Sequence, residues 1–167
     1  MKYNVMAAIL TAKLLNIDNK FIKKGIKKFK QIKYRLDEVY PNIYNDAKIT
    51  NIYSTMSALN EFKDKNVFLI CGGYDRKESL ISIDHDFSNL RGVYAYGNTK
   101  EKIMCYFKKH KINVMVFDSL KDATIKALND RKDESILYSP MFASYDQYSS
   151  YEERGKEFNK IIKEYYG

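Results

Sequence analysis

Three short stretches of the chain combine charged and hydroxyl side chains in a way that suits an anionic small molecule. The first alternates Asp46, Lys48 and Thr50, which brings an anion, a compact cation and a hydroxyl within reach of one turn. The second places Arg76 shortly after two glycines, and the fork of a guanidinium group binds carboxylates and phosphates. The third reads SYDQYSSY at residues 144–151 and is rich in hydroxyl groups. Together these stretches predict a site for a carboxylate or a phosphate.

Ordinary structural roles also account for part of these stretches. Residues 44–51 are compatible with an Asx-type turn that leaves the lysine in solvent. The pattern Ser150-x-x-Glu153 is typical of a capping box at the start of a helix. The cap does not account for residues 144–147, which lie between Pro140 and the cap. The residue types alone therefore leave a ligand loop and a plain polar loop both open.

The pattern of the chain predicts that an α/β sheet positions the three stretches. From residue 35 onward, short apolar runs alternate with helical segments that begin at Asn51, Thr99, Ser119 and Ser150. The expected strands are residues 36–40, 42–44, 67–71, 92–96, 114–117 and 135–138, and a short helix is expected within 80–90. This alternation predicts a Rossmann-like domain with a mostly parallel sheet of about six strands. Ligands of such sheets bind beyond the carboxyl ends of the strands.

Positive charge is concentrated before this domain. The chain has a formal net charge of +8, and residues 1–35 hold ten Lys or Arg and one Asp. Two helices are expected there, over residues 4–15 and 19–29, as a helical hairpin. Lysines surround the apolar face of the second helix, and no aromatic residues interleave with them on the charged face. We therefore expect a solvated helix face and no nucleic-acid partner. A basic nucleic-acid-binding module and a non-catalytic interaction domain remain the alternatives.

Composition excludes several other classes of protein. No apolar run approaches the roughly 20 residues that a membrane-spanning helix needs, so no membrane partner is expected. Cys71 and Cys105 form no CxxC pair, which fits reduced thiols in the cytoplasm. His85 and His110 are isolated and lack metal-ligand spacing, so no metal site is expected. The pattern GxxxxGK[ST] does not occur, so the usual phosphate loop for a nucleoside triphosphate is missing from this sequence.

Three ordered motifs resemble the UDP-N-acetylmuramoyl-L-alanine:D-glutamate ligases of the Mur ligase family. They are NDAKITN at residues 45–51, GGYDR at residues 72–76 and SPMFASYDQYSSYEERGKEF at residues 139–158. The resemblance covers essentially the whole chain. It implies that residues 1–33 are the helical tail of a central ATPase domain and that residues 34–167 are the Rossmann-like C-terminal ligase domain. The N-terminal domain, most of the central domain and the magnesium ligands then lie outside this chain.

The resemblance also implies a function and a set of residues. The full-length enzyme would be an ATP-dependent, magnesium-requiring amide ligase that adds D-glutamate to UDP-N-acetylmuramoyl-L-alanine in peptidoglycan biosynthesis, and this chain alone would be inactive. The implied nucleotide contacts are Asn4, Arg35, Asp46 and Lys48, with Lys48 also the catalytic group that offsets phosphate charge. The implied D-glutamate contacts are Thr50, Arg76, Ser144, Tyr145 and Tyr151. Tyr34 stands where the family has a histidine beside the arginine, and Tyr151 where it has a phenylalanine.

Overall fold

The computed structural model describes residues 2–30, 32–77, 80 and 85–167. The chain forms two compact units, Met1–Ile32 and Lys33–Gly167. Within the described ranges, no helix is long and apolar enough to cross a lipid bilayer.

The first unit consists of two helices, α1 (Lys2–Leu14) and α2 (Asn19–Lys28), as the sequence predicts. Asp18 begins α2 by accepting a hydrogen bond from the backbone N–H of Lys20 at 3.0 Å, which satisfies one of the free N–H groups at the helix start. Most apolar residues of the amphipathic pattern are nevertheless exposed, with Phe21 and Phe29 each 58% accessible, whereas Ile22 is half-buried.

The second unit is built on one six-stranded sheet. Its strands are β1 (Asp37–Tyr40), β2 (Ile43–Asn45), β3 (Val67–Gly72), β4 (Leu90–Tyr96), β5 (Val114–Phe117) and β6 (Ser135–Met141). Their spatial order is β1-β2-β6-β3-β4-β5. The edge strand β1 pairs antiparallel with β2, and every other pairing is parallel. The prediction of a mostly parallel sheet of about six strands is confirmed.

Among the residues that the structure describes, four α-helices cover the two faces of the sheet. They are α3 (Ile52–Leu59), α4 (Lys100–Lys109), α5 (Leu120–Asp130) and α6 (Tyr151–Tyr166), and two short 3₁₀ segments occupy Asn60–Phe62 and Gly97–Thr99. Alternate residues of β3 point to opposite faces: Leu69 packs with α3 and α4, whereas Ile70 packs with α5 and α6. Because both faces are covered, β3 is buried along its whole length.

Most of the predicted helix starts are confirmed. The side chains of Asn51, Ser119 and Ser150 each accept a hydrogen bond from the backbone N–H three residues later. The prediction for Thr99 is wrong in its chemistry, because its hydroxyl donates to the carbonyl of Gly73 at 3.2 Å and makes no bond to its own helix. In the predicted capping box the Ser150 bond is present, but the reciprocal bond of Glu153 is displaced by one residue. Glu153 accepts from the N–H of Ser149 at 2.8 Å.

The largest differences from the sequence-based expectation are at the end of β6 and in the stretch before β4. Strand β6 extends to Met141, past the predicted end at residue 138, and its register against β3 shifts between Ile70 and Gly72. That irregularity accommodates Pro140, which has no N–H to donate to the ladder. Residues 81–84 of the expected helix within 80–90 lie outside the described residues. Residues 85–89 are not helical, and a turn at Ser88 leads into β4.

Candidate functional site

Three loops meet at the carboxyl edge of the sheet. They follow β2 (residues 46–51), β3 (residues 73–77) and β6 (residues 142–150), and we call them the carboxyl-edge loops. They lie side by side because β6 lies between β2 and β3 in the sheet. The second and third are joined directly, since the N–H of Tyr74 donates to the carbonyl of Ala143 at 2.8 Å. The three stretches that the sequence singles out are therefore neighbours in space.

Lys48 and Tyr151 contact each other across this edge. The Nζ of Lys48 donates to the Tyr151 hydroxyl at 3.0 Å and lies 4.5 Å from the centre of the ring. Both side chains are half-buried. Lys48, which is predicted to bind phosphate, and Tyr151, which is predicted to bind D-glutamate, thus lie in one small region. A cation and a hydroxyl are available to an anion there.

Asp46 lies beneath the same loop and is only 1% exposed. One carboxyl oxygen accepts from the N–H of Leu36 at 3.1 Å, and the other accepts from the Ser139 hydroxyl at 3.1 Å. Burial raises the pKa of Asp46 to about 7, although the bonds from Ser139 and Leu36 work in the opposite direction. In this arrangement the carboxyl group braces the loop from inside. Its contact with a nucleotide stays a prediction.

The remaining predicted D-glutamate residues differ in accessibility. Ser144 is 3% exposed and its carbonyl accepts from the N–H of Tyr148 at 3.0 Å, which closes a tight turn. Tyr145 is 64% exposed and its ring meets the ring of Tyr74 edge to face, with centres 6.4 Å apart. Arg76 is exposed and Thr50 is half-buried. The structure places all four on the carboxyl-edge loops, and their contact with a ligand remains a prediction.

Two of the predicted nucleotide residues lie elsewhere in the chain. Arg35 is exposed and follows Tyr34, whose ring is buried against Gly155 of α6. Tyr34 therefore packs into this unit. Asn4 belongs to α1 of the first unit, where it is exposed. Nothing in the described geometry tests either assignment.

Sequence reasoning missed the residue that contacts all three carboxyl-edge loops. Arg154, in the first turn of α6, is fully buried. Its guanidinium donates to the carbonyls of Phe142 at 2.9 Å and Ala47 at 3.0 Å, and a methyl group at Gly73 would lie 3.2 Å from its Nη1. A signal was present, because position 154 falls on the same helical face as Phe158, four residues later. A charge at a core position of a helix is the pattern to look for.

The charge and donor set of this edge suit an anion and do not form a metal centre. Among the described residues, no group of three or more His, Cys, Asp or Glu side chains is placed to hold a metal ion. The magnesium requirement that the resemblance implies stays a prediction.

Comparison with known proteins supports the motif-based resemblance. No protein-family model matches the chain. The chain is 38% identical over 166 residues to a UDP-N-acetylmuramoylalanine--D-glutamate ligase of Oenococcus oeni, which covers 96% of this chain and 38% of that protein. The chain is 36% identical over 165 residues to the protein of the same name from Macrococcus caseolyticus. That match covers 96% of this chain and 37% of that protein. It is 37% identical over 169 residues to the protein of the same name from Shouchella clausii, and this match also covers 96% of this chain and 37% of that protein.

The chain thus spans less than two fifths of the length of the curated relatives that it matches. These relatives do not favour the nucleic-acid-binding or interaction-domain alternatives. The resemblance carried by the three motifs is confirmed: over nearly its whole length, this chain is similar to a part of the UDP-N-acetylmuramoylalanine--D-glutamate ligases.

Proposed function

We propose that the second unit binds D-glutamate at the carboxyl-edge loops, as part of an ATP-dependent amide ligase of peptidoglycan biosynthesis. The acceptor of D-glutamate would be UDP-N-acetylmuramoyl-L-alanine. One observation carries the proposal. The stretches that match ligases named for D-glutamate are the same three that meet at one sheet edge.

The donors of this edge match the charges of the ligand. D-Glutamate has two carboxylates, and the exposed guanidinium of Arg76 would hold one of them. The other would meet the Ser144 hydroxyl and the backbone N–H of Tyr145 in the tight turn after β6. Thr50 and Tyr151 would add hydroxyl donors. Tyr145 is 64% exposed and would cover the bound ligand.

The contribution of this unit to the reaction would be positional. ATP would supply the phosphoryl group that activates the carboxylate of UDP-N-acetylmuramoyl-L-alanine. The unit would hold the D-glutamate amine so that its nitrogen forms a bond to the activated carboxyl carbon, while the C–O bond to phosphate breaks and the amine loses a proton. Lys48 would offset the negative charge of the departing phosphate. Asn4, Arg35 and Asp46 would contact the nucleotide.

The organisation of the chain is consistent with a larger enzyme. We propose that residues 1–33 are the tail of the ATPase domain and that residues 34–167 are the ligase domain. The division into units at residues 32 and 33 supports that boundary. The chain alone should then release no phosphate from ATP in the presence of both substrates. Turnover at the rate of an intact ligase would contradict this assignment.

Titration with D-glutamate tests the binding proposal. Amide chemical shifts should move at residues 46–51, 73–77 and 142–150, with weak affinity because an incomplete site has not been pre-organised. Arg76→Ala should weaken binding more than Ser144→Ala, because a charge-assisted hydrogen bond contributes about 1.5–3 kcal/mol and a neutral one about 0.5–1.5. Arg91→Ala removes an exposed arginine at the start of β4, at the opposite edge, and serves as the matched control.

L-Glutamate at the same concentrations provides the stereochemical control. The site assignment is wrong if the two enantiomers shift residues 142–150 alike. It is also wrong if the shifts cluster on α2, whose lysines attract anions without any built site.

A further inference from the structure

We propose that Arg154 is a positioning residue that holds the three carboxyl-edge loops in one arrangement and couples their motions. This inference deepens the proposed function. The part of its test that uses D-glutamate rests on that proposed function. Arg154 is assigned no contact with a substrate.

The guanidinium reaches backbone atoms of loops that are far apart in sequence. Its Nη2 donates to the carbonyls of Ala47 at 3.0 Å and Ile49 at 3.4 Å, both in the loop after β2. Its Nη1 donates to the carbonyl of Phe142 at 2.9 Å, in the loop after β6. The same nitrogen lies beside Gly73, since a methyl group there would come within 3.2 Å of it. One planar group therefore bonds two of the loops and lies beside the third, which is itself bonded to the loop after β6 through Tyr74 and Ala143.

Burial makes these bonds mutually dependent. Arginine keeps its charge in proteins, and removing a partner from a buried charge is strongly destabilising. The Nε of Arg154 has no hydrogen-bond partner among the described residues, so the group depends on the bonds of Nη1 and Nη2. None of the ion pairs found among the described residues involves Arg154. The acceptors named above are backbone carbonyls of the loops themselves. If one loop moves away, the buried cation loses an acceptor that water cannot readily replace, so the loops favour moving together.

A second arginine provides a matched comparison at the other end of the sheet. The Nε of Arg131 donates to the carbonyl of Glu134 at 2.8 Å, and its Nη2 donates to the carbonyl of Pro41 at 3.0 Å. These carbonyls precede β6 and β2, so Arg131 braces the amino edge with the same chemistry. A change at Arg131 controls for the general loss of an arginine that binds carbonyls.

Amide hydrogen exchange tests the coupling without any ligand. Each carboxyl-edge loop contains a hydrogen-bonded reporter amide: Ile49, Tyr74 and Tyr148. The variant Arg154→Lys keeps the positive charge but loses the two-pronged guanidinium group. In this variant all three reporter amides should exchange about tenfold faster or more. Arg131→Lys should leave the three unchanged and instead accelerate Ile136, whose N–H donates to Asn42 beside Pro41.

Native-state exchange of the unaltered chain keeps the test decisive if a variant fails to fold. At low denaturant concentration, the opening free energies of the three reporter amides should converge on one value. That value should lie below the free energy of global unfolding, as expected for a single shared opening. Three separate openings would overturn the proposal. So would acceleration of a single loop in Arg154→Lys, or an equal acceleration of every amide in the unit, which would make Arg154 an ordinary core residue.

The ligand readout separates this inference from the proposed function. D-Glutamate should protect the three reporters together in the unaltered chain and unequally in Arg154→Lys, with affinity about tenfold weaker. Shared protection that persists in the variant would contradict coupling through Arg154. If the unaltered chain does not respond to D-glutamate, the proposed binding function fails. The ligand-free exchange still decides the role of Arg154.

Discussion

Lys48 donates a hydrogen bond from its ammonium group to the hydroxyl of Tyr151 at 3.0 Å. The bond joins the loop after β2 to the first residue of α6, 103 positions later in the chain. The cation also lies 4.5 Å from the ring centre, a distance at which the ring quadrupole attracts it. The two residues therefore hold each other at the carboxyl edge before any ligand arrives.

Tyr151→Phe should reveal the contribution of this bond. The ring and its contact with the ammonium remain, but the acceptor is lost, so the free energy of unfolding should fall by about 0.5–1.5 kcal/mol. Lys48→Met should cost less in the Tyr151→Phe background than in the original chain. Urea unfolding of the four proteins in the cycle measures the coupling. As a control, Tyr145→Phe alters an exposed ring and should change the free energy of unfolding by less than about 0.5 kcal/mol. Additive effects of the two substitutions in the cycle would show that the contact between Lys48 and Tyr151 contributes nothing to stability.

Asp46 should make the stability of the second unit depend on pH. Its pKa is about 7 in the folded chain and near the ordinary 3.8 when unfolded. Between those values the folded state binds more protons, so the contribution of Asp46 is fully present below about pH 4 and is lost as the pH rises to 7. Relative to Asp46→Asn, the original chain should gain up to about 4 kcal/mol between pH 8 and pH 4. Chemical denaturation across this range measures the difference.

Asp75 provides the control with the opposite sign. Its hydrogen bond from Lys102 lowers the pKa of its carboxyl group, so its contribution is present above its ordinary pKa and is lost as the pH falls further. Relative to Asp75→Asn, the original chain should therefore gain no stability when the pH falls from 8 to 4. A pH-independent difference between the original chain and Asp46→Asn would mean that Asp46 titrates normally.

Two helical glycines should respond in opposite ways to alanine. A methyl group at Gly155 would lie 2.5 Å from the Tyr34 ring, whereas nothing lies within 4 Å of one at Gly25. Gly155→Ala should destabilise the fold by about 1–3 kcal/mol through overpacking. Gly25→Ala should be neutral or stabilising by up to about 1 kcal/mol, because alanine favours helix. Chemical denaturation measures both, and a cost at Gly155 that persists undiminished with Tyr34→Ala would point to another cause.

The two cysteines should differ in reactivity. Burial raises the pKa of the Cys71 thiol far above its ordinary value, whereas Cys105 is exposed on α4. Because the thiolate is the nucleophile, a thiol reagent should modify one equivalent in the native chain and two in denaturant. Cys105→Ser should remove the native reaction, and Cys71→Ser should leave it intact. Rapid modification of Cys71 under native conditions would show that β3 opens readily.

Local patterns in the sequence are sufficient for most of the architecture. Strands and helices appear as apolar runs and amphipathic periods, and caps such as Asn51 and Ser119 depend on residues three positions apart. The parallel order then requires loops after neighbouring strands to meet, so the location of the candidate site was predictable. Its three motifs could be read from the chain because each is contiguous.

The interior of the site depends on partners that no local pattern contains. Arg154 bonds a carbonyl 107 residues away, and Thr99 bonds Gly73 26 residues away instead of capping its helix. Asp46 is buried beneath its loop, although its polar context in the sequence is typical of a surface turn. A charged or hydroxyl group takes whichever partner packing leaves beside it, and that choice is made by contacts between elements. Burial, pKa and the coupling of the loops therefore follow from tertiary packing, whereas periodicity and caps follow from the chain alone.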